Sequence, residues 1–290
     1  MKLILAQPAI PRFSWELQVL LANIRQFTDM DVVMLFTEHD FTVPAHFRSV
    51  PGCGVFTYTD KRDDTSYIPS VRPYLLWQYF MEDPSRCDET YFYIDSDVIF
   101  REWIDFTTLP ISDNAVVGSD CSGYMDYNYI ASRKNADQIL DAMTEICGIS
   151  REQMQGVPGI GAHLILQNFS PEFWKRCYFD SNRLHHAFES IDTDLQKWTA
   201  EMWAQLWGWV REGKTLIADR QLDFCLPTDD IAYWDRVKIL HNSGILADKS
   251  FEYFFKGQYV NYSPIGKDFS RIRRDKCTFK YVQAIQNVVQ

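Results

Sequence analysis

Two carboxylates interrupt an apolar, aromatic run, Tyr91-Phe92-Tyr93-Ile94-Asp95-Ser96-Asp97-Val98-Ile99-Phe100. Residues i and i+2 of a strand share a face, so a strand here projects Asp95 and Asp97 together, their Cα atoms roughly 6.6 Å apart at about 3.3 Å per residue. Two such carboxylates repel each other unless something positive lies between them. A divalent cation that prefers oxygen ligands, Mg²⁺ or Mn²⁺, meets that need. The alternative is a solvated turn at a strand end. The hydrophobic flanks on both sides favour the metal.

Other residues have types that suit the same chemistry. His241 follows Arg236-Val237-Lys238-Ile239-Leu240 and precedes Asn242-Ser243-Gly244, where a strand-end imidazole reaches a cleft and completes a two-carboxylate site. Gly244 lets backbone N–H groups approach a ligand. Lys249 and Lys256 follow, and either balances a diphosphate. Arg72, next to Pro73 at a predicted helix start, can grip a phosphate or hold a metal-binding carboxylate. Glu201 sits in Trp198-Thr199-Ala200-Glu201-Met202-Trp203-Ala204-Gln205, an aromatic neighbourhood that raises a buried carboxyl's pKa. Each has a plainer reading: a structural histidine, solvated lysines, a surface ion pair, a solvated helix-face glutamate. Neither a P-loop, nor a dinucleotide Gly-x-Gly-x-x-Gly after the first strand, nor a Gly-x-Ser-x-Gly elbow occurs.

The elements that must position these residues alternate in the first half. Leu3 to Ala6, Val32 to Phe36 and Gly54 to Tyr58 read as strands. Trp15 to Phe27, with Ser14 as cap, and Ser70 to Met81, with Pro73 in its first turn, read as helices. Strand–helix–strand order predicts an α/β domain with a mainly parallel sheet, whose ligands bind at the carboxyl ends of strands. Further on, Ala115 to Gly118, Gly159 to Leu166 and Val237 to Leu240 read as strands. Asn135 to Cys147, a helix starting at Pro171 after a Ser170 cap, and Trp198 to Glu212 read as helices. The aromatic, basic tail from Phe251 is expected to wrap back over the domain. His185-His186 reads as structural.

The chain has 290 residues, 46% apolar and 15% aromatic, enough for a sizeable core. A net charge of −10 argues against a sequence-independent nucleic-acid binder, without excluding a nucleic-acid acceptor. Seven scattered cysteines without a Cys-x-x-Cys fit reduced thiols and a cytoplasmic location. No apolar run suits a signal peptide or a transmembrane helix.

In order, these features resemble the GT-A glycosyltransferase fold, a Rossmann-like, mainly parallel sheet flanked by helices, over most of the chain. Arg72-Pro73-Tyr74-Leu75-Leu76 is similar to the Lys-Pro or Arg-Pro helix of several such families. Tyr93 to Ile99 looks like their Asp-x-Asp strand, which holds Mn²⁺ and a nucleotide-sugar diphosphate. His241-Asn242-Ser243-Gly244 is similar to the His-x-x-Gly of glycogenin-like enzymes, whose histidine is the third protein ligand. Gly159 to Leu166 (with Gly161), Pro171 to Trp174 and Glu201-Met202-Trp203 more distantly resemble hydroxyproline arabinosyltransferases and peptidyl-serine galactosyltransferases, though the secretory targeting of those families is missing and their acceptors are not carried over. The resemblance implies one domain over 1–290, with a nucleotide-binding half at 1–110 and an acceptor-binding half and C-terminal wrap at 111–290. It implies Asp95, Asp97 and His241 on Mn²⁺ or Mg²⁺, and Arg72, Gly161, Gly244, Lys249 and Lys256 with the aspartates on the donor, a UDP-sugar. Glu201 becomes the catalytic-side residue that anchors or stabilises the sugar, with retention. A sugar-phosphate nucleotidyltransferase and a non-catalytic nucleotide-sugar-binding protein are the other readings.

Overall fold

The apolar runs of the first half are short and buried on both sides, which suits strands covered by helices on both faces. The computed structural model describes residues 1–288. Strand β1 (Lys2–Pro8) shows the pattern: Leu3 and Leu5 enter the core on one face, Ile4 and Ala6 on the other. β2 (Val32–Thr37), β3 (Cys53–Tyr58) and β4 (Tyr91–Tyr93) follow, all parallel within the pairs they form with β1 and β2. β5 (Val98–Phe100) belongs to a second sheet. β6 (Ala115–Asp120), β7 (Ile160–Leu166) and β8 (Thr215–Ala218) complete the first, with the order β3-β2-β1-β4-β7-β6-β8. β7 runs antiparallel to both its neighbours, so the sheet is mostly parallel. β9 (Phe224–Cys225) and β10 (Ile239–His241) join β5 in the small sheet, in the order β5-β10-β9.

The helices Val71–Glu82, Ala136–Cys147, Pro171–Ser190 and Ala200–Arg211 fill one face, around Trp174, Trp203, Trp207 and Trp209. The helix Pro11–Ile24 and the short helix Thr42–Arg48 contribute to the core on the other. In the tail, Phe254, Phe269, Tyr281 and Val282 pack with Trp15 and Val19, and Trp15 Nε1 donates to the Tyr259 carbonyl at 2.9 Å.

Several expectations need correction. The acidic run is not one strand. The ladder with β1 and β7 stops at Tyr93, residues 94–97 turn, and the chain re-enters pairing only at Val98, in the other sheet. Two acids cannot continue a ladder buried on both faces without partners of their own. The first helix starts earlier, at Pro11, so Ser14 lies inside it and does not cap it. Proline at the helix start needs no backbone donor there, which explains the shift. The Thr42–Arg48 helix and the short strands β8 and β9 were not foreseen. Among the described residues, no helix is long and apolar enough to cross a membrane.

Candidate active site

The break after β4 places Asp95 and Asp97 in a turn at the carboxyl end of a central strand. Their convergence is therefore set by the turn and by what pairs with it. β5 lies antiparallel to β10, with Val98 opposite His241. The Asn242 N–H extends this pairing, donating to the Asp97 carbonyl at 2.8 Å. This register brings His241 beside the turn. Its Nε2 lies 3.4 Å from Asp95 Oδ2 and 3.4 Å from Asp97 Oδ1. One ligand atom from each of the three lies within 4.8 Å of the others. The two carboxylates are donors suited to Mn²⁺ or Mg²⁺, and the imidazole beside them makes a mixed set that fits a transition ion such as Mn²⁺ better than Mg²⁺.

These residues line a cavity of about 580 Å³, within the range of small-molecule sites. Its charges are matched in pairs. Arg72, at the second position of the Val71–Glu82 helix, places Nη1 2.5 Å from Asp95 Oδ1 and Nη2 against a Glu201 carboxylate oxygen. Lys256 contacts Asp97 from the tail. Burial pushes both aspartates up, but Arg72 for Asp95 and Lys256 for Asp97, with His241, override it and hold both well below the usual carboxylate range. Burial pulls the His241 imidazole down, and the two carboxylates overcome this and lift it to about 9. Glu201 lies in the first turn of the Ala200–Arg211 helix, where burial raises its carboxyl to about 7 against the pull of Arg72. Its backbone N–H donates to the Tyr67 hydroxyl at 2.8 Å, and that hydroxyl donates to the Trp198 carbonyl at 2.6 Å.

Gly244 lines the cavity in the left-handed region, with φ 77°, where glycine is unstrained. Two candidates fall elsewhere. Lys249 is exposed on a short 3₁₀ turn and is not among the cavity-lining residues; the turn geometry of the tail, which no sequence pattern fixes, carries Lys256 inward instead. Gly161 is buried behind the cavity wall, close to Met202 and Cys121. The residue that lines the cavity there is Ala162, with φ 53°. The β6–β7 register shifts at Gly118/Ser119: Leu164 pairs with Gly118 and Gly161 with Ser119, so Ala162 and His163 are left over on β7. A bulge of this kind re-aims side chains beside a site. It also buries His163 next to His241, ring centroids 5.4 Å apart, where burial and the His241 charge push its imidazole down to about 3 and keep it neutral.

Arg12 also lines the cavity, although it is not among the residues singled out from the sequence. It lies in the Pro11–Ile24 helix and donates from Nε to Glu16 at 2.6 Å. Glu16 is fully buried and also accepts from the Ser96 hydroxyl at 2.6 Å, so one carboxylate ties Arg12 to the residue between the two aspartates. The available signal was a glutamate on the apolar stripe of Trp15, Leu20 and Ile24, with an arginine four residues before it. Tyr124, Trp198, Met202 and Gln205, which also line the cavity, carried no such mark.

Comparison with solved structures places the whole chain in one fold. No protein-family model matches it, and no curated protein matches its sequence. A structure of the galactosyltransferase LgtC in complex with donor and acceptor sugar analogs matches at TM-score 0.54 and 14% identity, covering 100% of this chain and 97% of that one. An active-site mutant of LgtC matches at TM-score 0.50 and 13% identity, covering 98% and 95%. The bifunctional glycosyltransferase WbbM, in its apo form, matches at TM-score 0.52 and 10% identity over 99% of this chain, which spans 50% of the WbbM chain. At these identities the likeness establishes the architecture: the chain has the GT-A glycosyltransferase fold, with an acidic pair and a histidine converging at the carboxyl end of a central strand.

Proposed function

We propose that this protein is a metal-dependent glycosyltransferase that moves a sugar from a nucleotide sugar, a UDP-sugar, to an acceptor hydroxyl with retention of configuration. The observation that supports it most is the convergence of Asp95, Asp97 and His241 within one cavity of a GT-A fold. Those three residues would hold Mn²⁺ or Mg²⁺, which when bound neutralises charge developing on the departing nucleoside diphosphate. Lys256 and Arg12 add positive charge beside Asp97 and suit the same diphosphate. Arg72 fixes the orientation of Asp95 and Glu201 relative to each other. Retention is favoured because Asp95, Asp97 and Glu201 each already contact a cation. Asp95 and Asp97, held well below the usual carboxylate range, are weak bases. Glu201, though raised to about 7, is tied to Arg72, which suits steadying a cationic sugar more than deprotonating an acceptor. Glu201 takes that role on the sugar side.

Thermal-shift screening of nucleotide sugars with and without Mn²⁺ tests donor and metal together. The expected result is a UDP-sugar and Mn²⁺ raising Tm more together than the sum of each alone. Stabilisation by nucleoside triphosphates with no response to any nucleotide sugar contradicts the proposal.

A further inference from the structure

We propose that Glu16 is a positioning residue for the acidic turn: through Ser96 it fixes the backbone that carries Asp95 and Asp97, and through Arg12 it fixes the cation beside Asp97. This inference rests on the metal site proposed above. Glu16 is fully buried in the Pro11–Ile24 helix, and both its carboxylate oxygens are in use. Oε1 accepts from Arg12 Nε and Oε2 from the Ser96 hydroxyl, each at 2.6 Å. Glu16 has no exposure and Ser96 only 5%, so water does not replace the bond between them. A buried carboxylate close to two others is costly unless partners hold it, and one partner here is the residue between the two aspartates.

The turn has little else to hold it. The ladder with β1 ends at Tyr93, and the Ile94 N–H reaches the Ile4 carbonyl only at 3.4 Å. At the far end the Asn242 N–H donates to the Asp97 carbonyl. Between these bonds, the Asp95 and Ser96 N–H groups have no backbone partner among the described residues. The Ser96 side chain supplies the tether that the backbone lacks. The same helix grips the segment again further on. Asn23 Nδ2 donates to the Phe100 carbonyl at 3.0 Å, and Asn23 Oδ1 accepts the Phe100 N–H at 2.6 Å. Phe100 lies on β5, an edge of the small sheet, so one amide satisfies both backbone groups that a missing neighbour strand leaves open. Glu16 and Asn23 are seven residues apart, about two turns, and so share one helix face. The helix is thus a clamp across residues 96–100, and it sets the separation of the two aspartates from behind.

Isothermal titration calorimetry with Mn²⁺ alone, on the whole chain without donor, reads the positioning directly. Ser96→Ala and Glu16→Gln should each weaken Mn²⁺ binding about tenfold, the scale of losing a hydrogen bond that orients a metal ligand. Glutamine has one acceptor oxygen where the carboxylate has two, so it cannot serve both donors. Ser96→Thr, which keeps the hydroxyl, should retain most of the wild-type affinity. UDP binding at saturating Mn²⁺ separates the two arms: Glu16→Gln should weaken it more than Ser96→Ala does, because only the first loosens Arg12. Circular dichroism and melting temperatures accompany each variant. Wild-type Mn²⁺ affinity in both Ser96→Ala and Glu16→Gln, whatever their melting temperatures, makes Glu16 a structural residue only and overturns the inference. A Ser96→Thr variant as weak as Ser96→Ala overturns it too. Absence of Mn²⁺ binding by the wild-type protein overturns the metal assignment itself, and the inference with it.

Discussion

Arg72 Nη1 lies 2.5 Å from Asp95 Oδ1, and because its second nitrogen contacts Glu201, one guanidinium ties the two carboxylates together across the cavity. A planar fork can hold two carboxylates at once, whereas a lysine ammonium is a single point charge. Arg72→Lys is therefore expected to keep the fold and lower kcat by about a hundredfold, the scale of a misplaced catalytic group. Steady-state kinetics with circular dichroism check it. A variant with unchanged kcat contradicts the bridging role.

Glu16 is the hidden support of the same region. Its carboxylate accepts from Arg12 and Ser96, each at 2.6 Å, with no exposure of its own. Glu16→Ala leaves Arg12 without its carboxylate in a mostly buried setting and is expected to cost about 2 kcal/mol, reduced from the fully buried value because Arg12 keeps some solvent. Glu16→Gln, which retains hydrogen-bonding capacity, should cost about half as much. Urea unfolding of the two variants measures both. Equal losses would mean that the negative charge facing Arg12, absent from both variants, is what Glu16 supplies, and not its shape or a neutral hydrogen bond.

The protonation of His241 couples stability to pH and, on the proposed metal assignment, Mn²⁺ affinity as well. Its pKa is raised from 6.5 to about 9 in the folded chain, so the metal-free protein gains stability from the imidazolium below pH 6.5. That contribution is lost as pH rises toward 9, at roughly 1.4 kcal/mol per unit. Metal binding must displace the same proton, so Mn²⁺ affinity should rise about tenfold per unit across this window and level off above it. Calorimetric titrations with Mn²⁺ at pH 6.5, 7.5 and 8.5 test the slope. A flat profile in wild type, or a preserved slope in His241→Ala, contradicts the assignment.

The β6–β7 bulge that aims Ala162 into the cavity depends on Gly118. A Cβ there would meet Leu164 Cδ2 at 2.6 Å and Ile160 Cβ at 3.0 Å. Gly118→Ala is expected to destabilise the protein by about 1–3 kcal/mol through overpacking. Chemical denaturation should show a lower midpoint with the slope unchanged. An unaffected midpoint means that the neighbouring side chains yield without cost.

Much of this was legible where one local rule governs. The buried apolar runs of β1 and β2, the Ser170 cap before Pro171 and the Asp95–Asp97 pair all announce themselves in a few residues. The geometry of the pair is not legible, because the strand rule does not hold for residues that leave the ladder after Tyr93. His241 was visible as a candidate, but its place beside Asp97 depends on β5–β10 pairing between segments far apart in sequence. Ala162 in place of Gly161 depends on a bulge, and Lys256 over Lys249 on two short 3₁₀ turns, and neither leaves a periodic trace. Arg12 did leave one, in the buried glutamate four residues on.

On the proposed reading, Asp97 and His241 act through a divalent cation on a nucleotide sugar. UDP release from a panel of UDP-sugars, with Mn²⁺ and then with excess EDTA, tests it most directly. Turnover should vanish in EDTA, return on adding Mn²⁺, and be absent from Asp97→Ala and His241→Ala under both conditions. Full turnover in excess EDTA would contradict it.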